Sequence, residues 1–364
     1  MNMRVVENSE APISVRSAIA NASPVNALFA DRDLHKVTVI GAGSMGSGIA
    51  ALLASAGVSV RLLDMAGPAD RNAIAQGGVQ RQLKTEGFTH PAAAALVEVG
   101  NLDDGLQQIA DSDWIVEAIV EDLAIKRELF ARIEQYRNVN AIVSSNTSTI
   151  PLKDLIDGRS DGFRQHFVIT HFFNPPRRMQ LLELIQGDAH REVHVRIERW
   201  ATELLGKSVV ACRDTPGFIA NRIGNYWMSV ASLEAMKAGL TVEEADAAVG
   251  QPFGVPRTGV FGLFDFVGIN LVPLVWRSLL GMLPADDAHH RHDITSNSLF
   301  ASMLQRGLTG RFGPGGFYRL KLPDRSKVDE VLDLQSGEYR PRICLLYTSP
   351  SPRDRQKSRM PSSA

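Results

Sequence analysis

Cysteine is scarce in this chain of 364 residues, which contains only Cys212 and Cys344. Two cysteines cannot form a disulfide framework, so we expect a protein of a reducing compartment, the cytoplasm. No cluster of cysteine and histidine has the spacing of metal ligands, and we predict no metal site. The scarcity excludes the disulfide-rich secreted domains and argues against zinc-binding folds.

An excess of charge and long apolar runs are also missing. The formal net charge is -1, which gives no reason to expect nucleic acid or an acidic membrane as a partner. No apolar run reaches the roughly 18–20 residues of a membrane span. The first thirty residues contain Glu7 and Glu10 and no continuous apolar segment, so they do not resemble a secretory signal.

Short β-branched runs alternate with helical patterns in the first part of the chain. The predicted strands are Lys36 to Ile40, Val58 to Leu63, Trp114 to Val120, Ala141 to Ser144 and Phe167 to Thr170. The helical patterns between them include Ser44 to Ala56 and Ala124 to Tyr136. Strands that alternate with helices form parallel sheets. We predict an α/β fold, a Rossmann-type doubly wound mostly parallel sheet followed by a smaller all-helical domain.

The pattern becomes helical after Val210. Asp214-Thr215-Pro216-Gly217 predicts a helix start with Thr215 as N-cap and Pro216 at N1. Thr241 and Glu244 form a capping box for the next helix, which Gly250 would end. Residues 268–282 and 298–305 predict two further helices.

A glycine-rich turn directly follows the first predicted strand. The sequence Gly41-Ala42-Gly43-Ser44-Met45-Gly46 has the form G-x-G-x-x-G and opens a helix, whose N-terminus attracts phosphates. Asp64 ends the second strand, where a carboxylate accepts from ribose hydroxyls and repels a 2′-phosphate, which favours NAD over NADP. A packing turn beside a helix-capping aspartate is the alternative. We predict that NAD is bound by Gly41, Gly43, Ser44, Met45, Gly46 and Asp64.

A histidine and a glutamate stand on two neighbouring apolar runs. His171 lies at the end of a strand and precedes Phe172-Phe173-Asn174-Pro175-Pro176, and Glu183 lies within the returning run Leu181 to Ile185. An imidazole can take and give a proton near neutral pH, and a carboxylate in so apolar a run is costly to bury without a partner. His171 could instead be satisfied by backbone and Glu183 could face solvent. Spacing does not distinguish His171 from His166.

Seven segments, in order, carry a resemblance to a known family. They are VIGAGSMGSGIA, IVEAIVEDLAIKRELF, SSNTSTIPL, THFFNPP with LLELI, DTPGFIANRI, GVPRTGVFGLFDFVG and GRFGPGGFY. The chain from about Lys36 to Leu320 resembles the 3-hydroxyacyl-CoA dehydrogenases of fatty-acid β-oxidation. The resemblance implies oxidation of an L-3-hydroxyacyl-CoA to the 3-ketoacyl-CoA, with hydride transfer to NAD+. It implies His171 as general acid/base and Glu183 as its orienting partner.

The resemblance also implies roles for residues that spacing alone does not single out. Ser148 and Asn221 would contact the reacting oxygen, and Asn174 would lie close to the histidine and the substrate. Contact with the cofactor is implied for Glu121, Lys126 and Asn146. Each of these has a plainer alternative: a helix-capping serine, a polar helix residue, or a solvated surface pair. Family members carry a serine and lysines after the second strand, whereas Gln76 to Gly87 supplies only Arg81 and Lys84, which leaves the coenzyme A nucleotide without an obvious partner.

Four segments follow from these patterns. We predict a flexible N-terminal arm (1–34), an NAD-binding Rossmann domain (35–213), a helical substrate and dimerisation domain (214–322), and a linker with a tail (323–364). The tail from Cys344 to Ala364 resembles translated adapter read-through, and we expect it to be neither native nor folded. The long apolar helices after Pro216 predict a homodimer.

Three other interpretations remain. The segments near His171 also resemble long bacterial multifunctional β-oxidation proteins in which such a module precedes an enoyl-CoA hydratase domain, so the chain could be a front portion of such a protein. An inert NAD-binding fragment or a crystallin-like relative is the alternative to an active enzyme. A β-hydroxyacid dehydrogenase is disfavoured, because Asn221 and Arg222 stand where that type carries a catalytic lysine.

Overall fold

The computed structural model describes residues 33–250, 258–311, 313–320 and 328–343. The chain divides into a first unit that ends at Phe218 and a second unit that begins at Ile219, five residues beyond the predicted boundary. Most of the predicted arm and the tail from Cys344 lie outside the described residues. The last two residues of the predicted arm are packed: Leu34 is buried in the core, and Asp33 accepts a hydrogen bond from the Trp200 indole.

The first unit is built on one sheet of eight strands. The strands are β1 Lys36–Ile40, β2 Ser59–Asp64, β3 Val97–Asn101, β4 Trp114–Glu117, β5 Ile142–Ser145, β6 Phe167–Phe172, β7 Leu181–Ile185 and β8 Ser208–Cys212. Their order is β3-β2-β1-β4-β5-β6-β7-β8. Strands β1 to β6 are parallel, β7 runs antiparallel to β6, and β8 is parallel to β7. The predicted doubly wound, mostly parallel sheet is confirmed, and its strand order reverses between β1 and β4, where such sheets bind ligands.

Helices cover both faces of this sheet. They are α1 Ser44–Ser55, α2 Ala73–Lys84, α3 Leu102–Gly105, α4 Leu123–Tyr136, α5 Leu152–Leu155, α6 Asp161–Arg164 and α7 Arg191–Arg199. Side chains of β1 alternate between two cores, because Val37 and Val39 pack on one face of the sheet and Ile40 on the other. Burial on both faces explains why the central strands are continuous apolar runs.

The second unit is mainly helical. Its helices are α8 Ala220–Lys237, α9 Val242–Ala248, α10 Gly259–Val267, α11 Val272–Met282 and α12 Ser298–Gln305. Three short antiparallel strands follow, in the order β11-β10-β9: β9 Tyr318–Leu320, β10 Val328–Leu332 and β11 Tyr339–Pro341. This small sheet differs from the all-helical domain and the linker that we expected. Val331 and Leu332 are fully buried in the core of the unit, so this part of the chain is folded.

The predicted helix start at Thr215 and Pro216 is wrong. Helix α8 begins at Ala220, because Gly217 and Phe218 have φ angles of 74° and 47°, which no right-handed helix contains. Asp214 instead accepts a hydrogen bond of 2.9 Å from the backbone nitrogen of Leu152, at the start of α5. The Asp-Thr-Pro-Gly sequence is therefore part of the turn between β8 and α8.

Other helix predictions hold with small shifts. The capping box of Thr241 and Glu244 is confirmed, and its helix ends at Ala248, two residues before Gly250. The helix predicted over residues 268–282 begins as a 3-10 turn, Ile269–Leu271, before α11. Helix α10 was not predicted.

Among the described residues, no single helix combines the length and apolarity that crossing a membrane requires. Helix α10 and the segment Ile269–Met282 meet that requirement only when taken together, and the pair is bent by 78°.

Candidate active site

The glycine-rich turn between β1 and α1 is closely packed at two of its glycines. Gly41 has a φ angle of 103°, and a Cβ atom there would lie 2.4 Å from the carbonyl oxygen of Ala118, just after β4. A Cβ atom on Gly46 would lie 1.8 Å from the carbonyl oxygen of Gly41. Only glycine fits at these two positions. A side chain at position 41 would push the turn away from β4, and one at position 46 would push α1 away from the turn.

Gly43 differs from these two glycines, because among the described residues no atom other than those of Gly43 and its chain neighbours lies within 4 Å of the place where its Cβ would stand. It is the N-cap of α1, and no side chain caps that helix. Ser44 and Met45 form the first turn of the helix. The first amides of α1 have no side-chain cap, and the positive potential of a helix N-terminus suits a phosphate.

Asp64 is held against the turn. Its Oδ2 accepts a hydrogen bond of 2.5 Å from the Ala42 nitrogen, and its Oδ1 accepts one of 2.6 Å from the Met65 nitrogen. Arg81 also supports the turn, because Nη1 donates to the Ala42 carbonyl at 3.2 Å. A cavity of about 480 Å³ opens here, lined by Gly41, Gly43, Asp64, Met65, Leu102, Ala118, Ile119, Val120, Ile125, Glu128, Leu129 and Arg132. A dinucleotide fits these features: open amides for phosphates and a carboxylate beside a cavity.

His171 and Glu183 meet as predicted. They are directly opposite each other in the antiparallel pair β6–β7, which brings their side chains to the same face of the sheet. The His171 Nδ1 lies 2.7 Å from the Glu183 Oε2. Both side chains are nearly inaccessible to solvent, at 4% and 1% of their full exposure.

Ser148 joins the pair from the segment after β5. Its Oγ lies 3.0 Å from the His171 Nε2, so both ring nitrogens have a partner. The rings of Phe173 and Phe218 pack on the imidazole with centroid distances of 4.5 and 5.7 Å. Ser148, His171 and Glu183 thus form one hydrogen-bonded chain at the carboxyl ends of β5 and β6.

Glu121, Lys126 and Asn146, for which the family resemblance implies contact with the cofactor, also contact protein groups. Lys126 is buried, and its Nζ lies 2.5 Å from the Glu117 Oε1 and 3.4 Å from the Glu121 Oε2. Glu121 accepts hydrogen bonds from residues 147–149. The Asn146 Oδ1 accepts a hydrogen bond of 2.9 Å from the Phe172 nitrogen, which ties the end of β5 to the end of β6.

The remaining predicted residues are not brought to the dyad by any described contact. Asn174 is exposed, three residues beyond His171, and Asn221 is the second residue of α8 in the second unit. Their contacts with substrate stay predictions. His166 precedes β6, whereas His171 lies near the end of that strand, so most of the length of the strand separates the two histidines. The His166 Nδ1 lies 2.9 Å from the Gly162 carbonyl oxygen.

Sequence reasoning missed Glu117. This carboxylate is fully buried and binds the Ser145 hydroxyl at 2.5 Å in addition to Lys126. The signal was present, because Glu117 lies in the apolar run from Trp114 to Val120, as Glu183 lies in its own run. Cys212 lies near Glu183: burial and the Glu183 charge raise the pKa of its thiol to about 11, so it stays protonated at neutral pH. Within the described ranges, no three His, Cys, Asp or Glu side chains group closely enough to hold a metal ion.

Comparison with known families assigns both units. Residues 36–215 match the model of the 3-hydroxyacyl-CoA dehydrogenase NAD-binding domain, and residues 217–320 match that of the 3-hydroxyacyl-CoA dehydrogenase C-terminal domain. The first match covers the glycine-rich turn, Asp64 and the His171–Glu183 pair. NAD is therefore the cofactor of this family's first domain, in agreement with the prediction.

Relatives agree with the family models. The chain is 41% identical over 313 residues to a Rickettsia felis protein named as a fatty acid oxidation complex trifunctional enzyme, covering 84% of this chain and 43% of that protein. It therefore spans less than half the length of that relative. It is 40% identical to a Deinococcus radiodurans protein named as a 3-hydroxyacyl-CoA dehydrogenase, covering 81% of this chain and 85% of the other. The crystal structure of the (S)-3-hydroxybutyryl-CoA dehydrogenase PaaH1 from Ralstonia eutropha has a TM-score of 0.65 and 27% identity, covering 77% of this chain and 96% of that one. The two domain models, matched in order over most of the chain, show that it belongs to the 3-hydroxyacyl-CoA dehydrogenase family.

Proposed function

We propose that this chain oxidises an L-3-hydroxyacyl-CoA to the 3-ketoacyl-CoA in fatty-acid β-oxidation. The observation that carries the proposal is the hydrogen-bonded chain Ser148–His171–Glu183 at the carboxyl edge of the sheet that holds the glycine-rich turn. The name of PaaH1, a dehydrogenase of (S)-3-hydroxybutyryl-CoA, supports the same class of substrate. Membership of the family supports the reaction type.

The hydrogen bonds of His171 assign its two nitrogens. With Glu183 ionised, its carboxylate can only accept, so the His171 Nδ1 carries a hydrogen and donates a hydrogen bond to the Glu183 Oε2. The Nε2 is then the free base, and it faces Ser148. In the proposed reaction Nε2 takes the proton of the substrate hydroxyl, and Glu183 stabilises the imidazolium that forms. In the reverse direction the imidazolium returns that proton to the substrate oxygen.

Ser148 and Asn221 are proposed to hydrogen-bond the reacting oxygen, and Asn174 to lie beside the substrate. The position of the Ser148 Oγ, 3.0 Å from Nε2, supports the first of these roles, because a group there can contact both the base and an oxygen that approaches it. The Asn221 and Asn174 roles depend on the family resemblance alone.

The first unit would hold NAD through the glycine-rich turn and Asp64. The amides that follow Gly43 suit the pyrophosphate, and the Asp64 carboxylate suits the ribose hydroxyls. When bound, NAD+ supplies the acceptor for the hydride from C3 of the substrate. Gly41 and His171 follow or end parallel strands of the same sheet, so both lie at its carboxyl edge.

The test is to follow the loss of NADH with acetoacetyl-CoA and then with a longer 3-ketoacyl-CoA. The wild type should consume NADH, and His171→Ala should reduce kcat by about 10²–10⁴-fold. His166→Ala is the matched control, because this histidine precedes the same strand and should leave kcat unchanged. Equal activity of wild type and His171→Ala would refute the assignment. A folded wild type that binds NADH but reduces neither substrate would favour the inert-fragment or crystallin-like alternative.

We also propose a homodimer, located in the cytoplasm. Ile223 and Leu274 of the second unit are 65% and 66% exposed and offer apolar surface that a second copy would bury. Sedimentation of the wild type should give a dimer, and Leu274→Asp should weaken it. The Rickettsia relative supports a longer multifunctional β-oxidation protein as the context of this module.

A further inference from the structure

The loop between β6 and β7 begins just after His171 and spans residues 173–180. Its first residue, Phe173, packs on the His171 imidazole with a centroid distance of 4.5 Å. Its second residue, Asn174, is exposed and is proposed above to lie beside the substrate. The placement of both residues depends on how the rest of this loop is held.

Lys207 binds the backbone of this loop at two points. It directly precedes β8, and its Nζ donates to the carbonyl oxygens of Pro176 and of Met179, to the latter at 2.7 Å. The residue is only 5% exposed. Its Nζ also lies over the ring of Phe172, the last residue of β6, at 6.0 Å from the centroid. One cation therefore connects the end of β6 with the far part of the loop.

The charge of Lys207 is not balanced by a carboxylate. Within the part of the chain that the structure describes, this lysine forms no ion pair, and backbone carbonyls are its acceptors. Burial lowers the pKa of its ammonium to about 8, so most molecules still carry the charge at neutral pH. An apolar side chain would fill the same space without the cost of burying a charge. The lysine therefore serves the loop carbonyls and not the packing.

Two other contacts fix the same loop. Pro176 packs against α1, because a Cβ atom on Gly48 would lie 2.9 Å from the Pro176 Cδ. Arg177, which is exposed, donates to the Glu86 carbonyl beyond the end of α2. The loop thus contacts the helix that would hold the cofactor and continues the strand that carries the base. Lys207 is the anchor that binds the backbone of the loop itself.

We propose that Lys207 is a positioning residue for proton transfer, which sets the β6–β7 loop against the His171 imidazole. Phe173 and Asn174 are the residues through which it acts. The inference rests on the proposed dehydrogenase function and goes beyond it, since neither the motifs nor the family resemblance singled out Lys207. Because Lys207 acts through the loop, its loss should impair the use of the acyl-CoA and leave NADH binding intact.

The experiment combines Lys207→Met, Phe173→Ala and the double variant. Lys207→Met keeps an unbranched side chain and removes the donors to the two carbonyls. We expect it to lower kcat/KM for acetoacetyl-CoA about 10–100-fold at saturating NADH, because a small displacement of a positioned group is costly in rate. The dissociation constant of NADH, measured by fluorescence titration, should be unchanged.

The double variant tests whether Lys207 acts through Phe173. In the Phe173→Ala background, Lys207→Met should lower kcat/KM less than it does in the wild type, because part of what the lysine positions is already gone. Losses that multiply fully would overturn the proposal. Lys207→Gln, which keeps one amide donor, should retain more activity than Lys207→Met, and it also serves if the methionine variant fails to fold.

Arg137→Met is the matched control. Arg137 is a half-buried cation that likewise binds backbone carbonyls, those of Val139 and Gly162 at 2.8 Å each. These contacts lie between α4 and β5 and on α6, before the strands whose carboxyl ends lead to Ser148 and His171. Its loss should lower the free energy of unfolding and leave kcat/KM unchanged. A loss of kcat/KM as large as that of Lys207→Met would overturn the proposal.

A readout independent of turnover separates this proposal from the proposed function. The ring-proton chemical shifts of His171 report the ring current of Phe173, and Lys207→Met should move them in the same direction as Phe173→Ala. Unmoved shifts would overturn the proposal even in an active enzyme, as would a loss of NADH affinity as large as the loss of kcat/KM. Moved shifts, where the wild type reduces neither 3-ketoacyl-CoA, would support the positioning of the loop and refute only the dehydrogenase assignment.

Discussion

His171 and Glu183 are cross-strand neighbours at directly opposite positions of β6 and β7, with 2.7 Å between Nδ1 and Oε2. The strand pairing thus places the acid, because a shift of one residue in register would turn Glu183 to the other face of the sheet. Both side chains are buried, so each depends on the other as a polar partner.

Glu183→Gln keeps the shape of the side chain and removes its charge. We expect kcat with acetoacetyl-CoA to fall about 10²–10⁴-fold, because the imidazolium loses its counter-charge and the amide can favour the wrong tautomer. NADH affinity should be unchanged. Steady-state kinetics and NADH titration measure the two quantities, and a wild-type kcat in this variant contradicts the prediction.

Gly41→Ala should lower the stability of the fold, whereas Gly43→Ala should lower the affinity for NADH. Gly41→Ala introduces a Cβ against Ala118 at a positive φ angle, and it should lower the free energy of unfolding by about 2–4 kcal/mol. Gly43→Ala meets no protein atom and should change stability by less than about 0.5 kcal/mol. It should weaken NADH binding about tenfold, since its methyl group fills the space for a phosphate. Urea unfolding measures the stability of both variants, and NADH titration measures their affinity. A Gly41→Ala variant as stable as wild type, or a Gly43→Ala variant that binds NADH as tightly as wild type, contradicts the corresponding prediction.

Asp64→Ser should reduce the preference for NADH over NADPH. A carboxylate at this position would repel a 2′-phosphate, and serine removes that charge. We expect the ratio of the two dissociation constants to move about tenfold or more towards NADPH. Parallel fluorescence titrations give the ratio, and an unchanged ratio means that Asp64 does not select the cofactor.

The stability of the second unit should depend on pH through Asp265. Burial raises the pKa of this carboxyl to about 7, although the hydrogen bonds from the Tyr318 and Phe317 nitrogens oppose the shift. Between about pH 4 and pH 7 the folded protein holds a proton that the unfolded chain has released, so this contribution to stability is lost as the pH rises through that window. Asp265→Asn should remove it. Unfolding free energies measured from pH 4 to 8 for both proteins test this, and parallel curves rule it out.

The fold could be predicted because its signals are residue types at short separations. For the dyad, the residues alone did not distinguish His171 from His166, and the family resemblance selected His171. The β-branched runs mark the central strands, and Glu183 is recognisable because a carboxylate in an apolar run needs a partner. Glu117 satisfies the same rule, which indicates a buried partner for it; the structure shows that this partner is Lys126.

The contact of Glu121 with Ser148 could not be predicted, for a physical reason. It spans 27 positions, and the donors include backbone nitrogens that nearly every residue possesses, so no residue type reveals it. Strand β3 was missed because its sequence, Val97–Asn101, contains a glycine and is only partly buried. The turn at Gly217 and Phe218 was mistaken for a helix start, because Thr-Pro at a cap and Thr-Pro in a turn look alike in sequence.

The reversal of chain direction at β7 has a consequence for assembly. An antiparallel neighbour needs only a short connection, so base and acid come together across the eight residues between Phe172 and Leu181. A parallel neighbour would have needed a crossover of a dozen residues or more. Closing a loop of this length costs little chain entropy. Pairing β1 with β4 closes a loop of 73 residues, which costs more. The base and the acid of the proton-transfer pair therefore come from one local hairpin, whereas the nucleotide-binding crevice depends on strands far apart in the chain.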